Sequence, residues 1–271
     1  MDEHTIDVGG TPVFYRRRAG AGGDVLYLHS IPTSSDDWSD LLALTGGIAP
    51  DLPGFGRSGK AAGYDYSLLG YANFVESLLD VLGVSRVTIV GHGWGAAIGL
   101  MFAERRPERV DRLVIIDPIP LLEGFRWPAM ARWWRRPGVG ELLMGSLSRW
   151  LLGRLLRRGS ATPAAWPEDR IDEVWEQFDQ GTQRAILRLH RSTDEAALAA
   201  AGHGLEELDH PALVVWGDQD PWLPPSFADD YARRLPSAIV ERIPHAGHWP
   251  WLDEPQVTAR VAAFAARAEA P

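Results

Sequence analysis

The chain has 271 residues, 45% hydrophobic and 23% charged, which suits one large α/β domain or a domain with an insert and excludes collagen, coiled coil and disorder. A formal charge of −9 argues against nucleic acid as a partner, and the absence of cysteine excludes a disulfide scaffold, a thiolate metal site and a cysteine nucleophile. No apolar run reaches the length of a membrane span and residues 1–10 lack a basic-then-apolar leader, so a cytoplasmic protein is expected.

Residues 7–15 read as a hairpin turning at Gly9 and Gly10. The continuous apolar run 24–29 has the length of a buried strand, residues 36–44 follow as a helix, and 48–51 form a weak strand that leads into a glycine-rich loop, 52–58. Leu68, Tyr71, Val75, Leu78, Leu79 and Leu82 fall at helical spacing and stop at Gly83. Residues 87–90 are a β-branched strand, followed by a glycine-dense turn and a helix over 96–106 that Pro107 ends. Strand 113–116 closes this half.

Strand and helix alternating in this way imply an α/β fold with a mostly parallel, eight-stranded sheet flanked by helices. The rhythm breaks over 118–205, where only helical stretches occur, and resumes with strand 213–216, a helix over 226–235, strand 239–243 and a last helix over 254–268. The expectation is a core formed by 1–117 and 206–271, with 118–205 as a helical cap inserted after the sixth strand. Leu143, Leu147, Leu151 and Leu155, four apart, are expected to form one helix face packing on the core.

Chemistry in such a sheet gathers at the carboxyl ends of the strands. Gly91-His92-Gly93-Trp94-Gly95 links a strand to a helix, where a nucleophile elbow sits, and the backbone N–H of Trp94 is placed to stabilise a developing anion. A second N–H is expected from Ile31, in His29-Ser30-Ile31-Pro32. Asp220, in Gly217-Asp218-Gln219-Asp220, and His248, in Gly247-His248, supply an acid and a base. Asp218 and the strand-end Asp117 are rival acids. His29 and His92 suit structural roles, and no histidine spacing marks a metal site.

These motifs, in this order, resemble the α/β-hydrolase family over nearly the whole chain. Within it, the stretch from His29 through Pro32-Thr33-Ser34-Ser35 to Trp38, with His92 and Trp94-Gly95-Ala96-Ala97, is similar to the epoxide hydrolase and haloalkane dehalogenase branch. The resemblance implies attack on carbon by an elbow aspartate and hydrolysis of the resulting ester by histidine-activated water. This chain departs from it. The elbow carries Gly93, which has no side chain; Ile31 stands where dehalogenases often carry asparagine; and all six tyrosines lie outside the cap, where epoxide hydrolases present theirs.

Three readings follow: a hydrolase whose aspartate or serine nucleophile has been replaced by Gly93; a natural enzyme using His248–Asp220 as a general base for hydration, cyclisation or lyase chemistry; or a non-catalytic binding protein on the same fold. The cap tryptophans 127, 133, 134, 150, 166 and 175 suggest a large pocket for a bulky apolar or aromatic substrate. Eight arginines against one acid between 126 and 158 raise the further expectation of an anionic substrate or partner surface. His29, Ser30, Trp94, Trp133, Trp134 and Trp249 are the expected substrate contacts. A small molecule is the expected partner of a monomer or homodimer, and no phosphate loop or dinucleotide fingerprint implies a cofactor.

Overall fold

The computed structural model describes residues 1–20 and 24–266. Eight strands, β1 (Asp2–Val8), β2 (Thr11–Arg18), β3 (Val25–Leu28), β4 (Gly47–Pro50), β5 (Val87–His92), β6 (Val110–Ile116), β7 (Ala212–Gly217) and β8 (Ala238–Ile243), form one sheet in the order β1-β2-β4-β3-β5-β6-β7-β8. β1 and β2 pair antiparallel, as do β2 and β4; every later pairing is parallel. Every residue of β3, β5 and β7 is buried, as continuous apolar runs require when helices cover both faces. The parallel register sets Leu28 beside Gly91, His92 beside Ile116, and Gly217 beside Ile243. The carboxyl ends of β3, β5, β6, β7 and β8 therefore share one edge.

Helices α1 (Ser39–Thr45), α2 (Leu68–Val81) and α3 (Trp94–Arg105) pack among the first six strands. The Ser67 hydroxyl caps α2 by accepting from the Gly70 N–H, and the buried stripe of α2 is the one its apolar spacing predicts. Between β6 and β7 the chain forms no strand among the described residues. It forms α4 (Ala129–Trp134), α5 (Val139–Gly145), α6 (Arg149–Gly159), α7 (Glu168–Gln177), α8 (Gln180–Ser192) and α9 (Glu195–Ala201). Then follow α10 (Ser226–Arg234), α11 (Pro250–Asp253) and α12 (Gln256–Ala265).

Three expectations shift. The leucine row does not lie on one helix: the chain breaks between α5 and α6, where Ser148 caps α6 by accepting from the Leu151 N–H, and Leu143 is left exposed. The helix expected over 96–106 starts at Trp94, directly after the elbow. The helix expected from 254 is preceded by α11, whose Pro250 sits at its first turn, and the stretch from 267 lies outside the described residues.

The glycine-rich loop after β4 is a fastening. Fully buried Asp51 accepts from the Ser35 N–H at 2.8 Å, from the Arg57 N–H at 2.8 Å and from Arg57 Nε at 2.9 Å. Ser58 Oγ donates to the Asp51 carbonyl at 2.6 Å and accepts from the Phe14 N–H. These bonds tie the loop after β3 to the loop after β4 and fix the backbone that carries Ser30.

Candidate active site

The turn from β5 to α3 has the form of an elbow. Gly93 adopts φ +52°, and its carbonyl accepts from the Ala97 and Ile119 N–H groups while its own N–H donates to the Ile116 carbonyl. That left-handed backbone suits glycine. The space above it is filled from another strand: a Cβ at position 93 would stand 2.2 Å from Ser30 Oγ, 2.8 Å from Ser30 Cβ and 3.5 Å from His248 Nε2. The Trp94 N–H, expected to face an oxyanion, donates to Ser30 Oγ at 3.2 Å. Ile31 lines the cavity next to it.

His248 follows β8, and its Nδ1 donates to Asp220 Oδ2 at 2.6 Å. Asp220 Oδ1 accepts from the Trp222 and Leu223 N–H groups at 2.7 and 3.1 Å, so the loop after β7 holds this carboxylate from both sides. With Nδ1 committed, Nε2 of the neutral ring is an acceptor facing the elbow. The His248 N–H donates to the Gly159 carbonyl at 2.7 Å, which ties the histidine loop to the end of α6.

Of the rival acids, Asp218 pairs with Arg242 at 2.6 Å. Asp117, with φ +39°, accepts from the Gly217 N–H at 3.1 Å and leaves Oδ2 without a partner. Burial and the adjacent Asp220 carboxylate push Asp117 well above the carboxylate range, so it stands as a neutral acid beside the pair. Donor atoms of Asp117, Asp220 and His248 lie within 4.8 Å of one another. Within this group the His248–Asp220 contact is itself a hydrogen bond.

His29 and His92 are held in the core, neutral, because burial lowers both. His29 Nδ1 donates to the Ser30 carbonyl and its Nε2 accepts from the Leu52 N–H at 2.8 Å. His92 Nε2 donates to the His248 carbonyl at 2.7 Å.

Ser30 and His248 open into a mainly apolar cavity of about 120 Å³ that is partly open to solvent. Trp94, Trp127, Trp134, Trp222 and Trp249 form much of its wall, with Leu152, Leu156 and Met144 from the cap helices. Four of the expected substrate contacts, Ser30, Trp94, Trp134 and Trp249, line it. Two do not. His29 lies beneath, committed to the backbone bonds above, and Trp133 is 47% exposed with Arg136 stacked over its ring. Trp150 also faces outward, Trp166 packs edge-on to Trp249, and Trp175 stacks on Phe178.

None of the eight cap arginines lines the cavity. Arg149 pairs with Glu168 and Asp172, Arg157 pairs with Glu168, and Arg135 donates to the carbonyls of His190 and Thr193. The excess positive charge of 126–158 is thus partly answered by acids of α7, the neighbouring helix.

Trp222 and His190 lie in the cavity wall without having been foreseen. His190, on α8, sits among Trp94, Trp127 and Trp134, with Nδ1 donating to the Ile186 carbonyl; burial lowers it to about 4, so it is neutral there and its Nε2 is an acceptor. The signal for it is a histidine on the buried face near the end of an amphipathic helix, a face otherwise apolar except for Thr182.

A family model described as alpha/beta hydrolase fold matches residues 25–255. The chain belongs to the α/β-hydrolase fold family. It is 31% identical over 256 residues to a haloalkane dehalogenase of Mesorhizobium japonicum, covering 85% of this chain and 80% of that protein. A solved haloalkane dehalogenase loop variant from Bradyrhizobium elkanii is 26% identical, with a TM-score of 0.84 over 98% of this chain and 96% of the other. The epoxide hydrolase CorEH, 22% identical, shares the fold with a TM-score of 0.85 over 97% and 98%. This α/β-hydrolase carries the helices α4–α9 between β6 and β7, and α4, α5, α6 and α8 contribute residues to the cavity wall.

Proposed function

We propose that this α/β-hydrolase is an enzyme that works without a side chain at the elbow, with His248 as general base and Asp220 holding its tautomer and stabilising the imidazolium that forms. The 2.6 Å bond between His248 Nδ1 and Asp220 Oδ2, with Nε2 facing the cavity floor, carries this reading. A receptor has no use for that arrangement. The hydrolytic relatives support a hydrolytic reaction, and the absence of a carboxylate at Gly93 turns the reading away from the alkyl-enzyme route of the dehalogenase branch.

The substrate we infer is compact and apolar or aromatic. A dry cavity of about 150 Å³ accepts benzene, and the cavity here is slightly smaller. That supports a single ring or a short alkyl chain over a polycyclic compound, and a wall without arginine gives no reason to expect an anion. The fit of Ser30 into the space above Gly93 favours a site adapted to glycine over one merely lacking its aspartate.

Turnover of small epoxides, haloalkanes and short-chain aryl esters by the unaltered chain, His248→Ala and Asp220→Asn tests the proposal. On the substrate that is turned over, His248→Ala is expected to lower kcat by about 10²–10⁴-fold, the usual worth of a positioned general base. Unchanged kcat in His248→Ala would overturn the reading.

A further inference from the structure

Position 93 is empty, yet the place its side chain would occupy is not. A Cβ there would lie 2.2 Å from Ser30 Oγ, closer than two unbonded atoms can stand, so the Ser30 hydroxyl already occupies the volume into which a side chain at 93 would grow. The same point lies 3.5 Å from His248 Nε2, so hydroxyl and base flank one small volume. The Trp94 N–H, at the amino end of the twelve-residue helix α3, donates to Oγ at 3.2 Å. It therefore stabilises negative charge on this oxygen. Oγ is buried, lines the cavity, and is carried by a loop that the Asp51 and His29 bonds hold in place.

We propose that Ser30, reaching over from the end of β3, is the nucleophile of this enzyme, and that its substrates are carboxylic esters with short, apolar acyl groups. This rests on the general-base reading of His248 above. The Ser30 hydroxyl gives its proton to His248 Nε2 as Oγ bonds to the acyl carbon. The carbon–oxygen bond to the leaving alcohol then breaks as His248 returns the proton to that alcohol. Water next gives a proton to His248 while its oxygen bonds to the acyl carbon. The Oγ–carbon bond breaks, the acid leaves, and Ser30 recovers its proton.

The test is covalent capture. The full-length chain is treated with a small dialkyl fluorophosphate and, separately, with p-nitrophenyl acetate, and adducts are read by intact mass and peptide mapping. One phosphoryl group is expected on Ser30, absent in Ser30→Ala and formed about 10²-fold or more slowly in His248→Ala. The exchange variant Ser30→Gly/Gly93→Ser returns the hydroxyl to the elbow and is expected to be labelled at position 93. An unlabelled parent chain, an adduct on another residue, or ester turnover undiminished in Ser30→Ala would overturn the proposal. Mapping on the parent chain decides the matter even where a variant fails to fold. Turnover lost in His248→Ala but kept in Ser30→Ala would retain the general base and remove only the serine.

Discussion

Gly93 and Ser30 are best understood as a pair. Glycine tolerates the left-handed backbone of the elbow, and the serine across from it fills the room that glycine leaves. Adding a side chain at 93 alone brings both backbone strain and overpacking. Gly93→Ser is therefore expected to destabilise the fold by about 1–3 kcal/mol. Ser30→Gly on top of it is expected to restore a substantial part, and the coupling can be read from a double-mutant cycle in chemical denaturation. Additive effects would show that the two residues do not share this space. Asp117 illustrates the same scale differently: burial first, and the adjacent Asp220 carboxylate second, push its carboxyl well above the ordinary range.

At the scale of elements, the histidine loop is fastened to the end of α6. Asp253, closing α11, accepts from the N–H groups of Gly247, Ala161 and Thr162 at 2.8, 2.9 and 2.8 Å. Gly159 permits the approach: a Cβ there would stand 2.4 Å from the rings of both Trp222 and Trp249. Asp253→Ala leaves three donors without this acceptor and is expected to cost about 1–3 kcal/mol in denaturant unfolding. It should also lower turnover with little change in the position of Asp220, because the His248 loop loses its anchor. Unaltered stability would mean that water replaces the carboxylate at no cost. The elements themselves were largely legible beforehand: the apolar runs and the apolar spacing of α2 that stops at Gly83 lie within single stretches of chain. The break between α5 and α6 was not, because leucines four apart continue through it while Ser148 starts a new helix.

For the whole molecule, buried titratable groups pull the pH dependence of stability in opposite directions. Burial raises Asp37 and Glu104 to about 7, so each contributes stability that is lost as pH climbs from the ordinary carboxylate range toward 7. His190 acts in the opposite sense. Burial lowers it from 6.5 to about 4, so its contribution is full above 6.5 and is lost as pH falls toward 4, where the unfolded chain binds the proton first. His190→Phe keeps a ring among the three tryptophans. Its Tm is expected to fall less than that of the parent chain between pH 6.5 and 4. Parallel curves would show that His190 is not held neutral. The electrostatics of the cap also belong to this scale: arginine density in one stretch predicted an anion site, whereas pairing with α7 spends part of that charge on cap structure.

The order of strands and helices, the edge where their carboxyl ends meet, and the acid and histidine after the last two strands could all be derived from the sequence alone. Each depends on a run or turn of a few consecutive residues whose pattern has one physical solution. The bond between His248 and Asp220, the size of the cavity and the outward turn of Trp133 were decided by tertiary structure. So was the position of Ser30 over Gly93: Ser30 and Trp94 are 64 residues apart and meet because the parallel register of β3 and β5 brings two strand ends together. Which side chain fills the space above a glycine depends on that packing, and no local pattern encodes it.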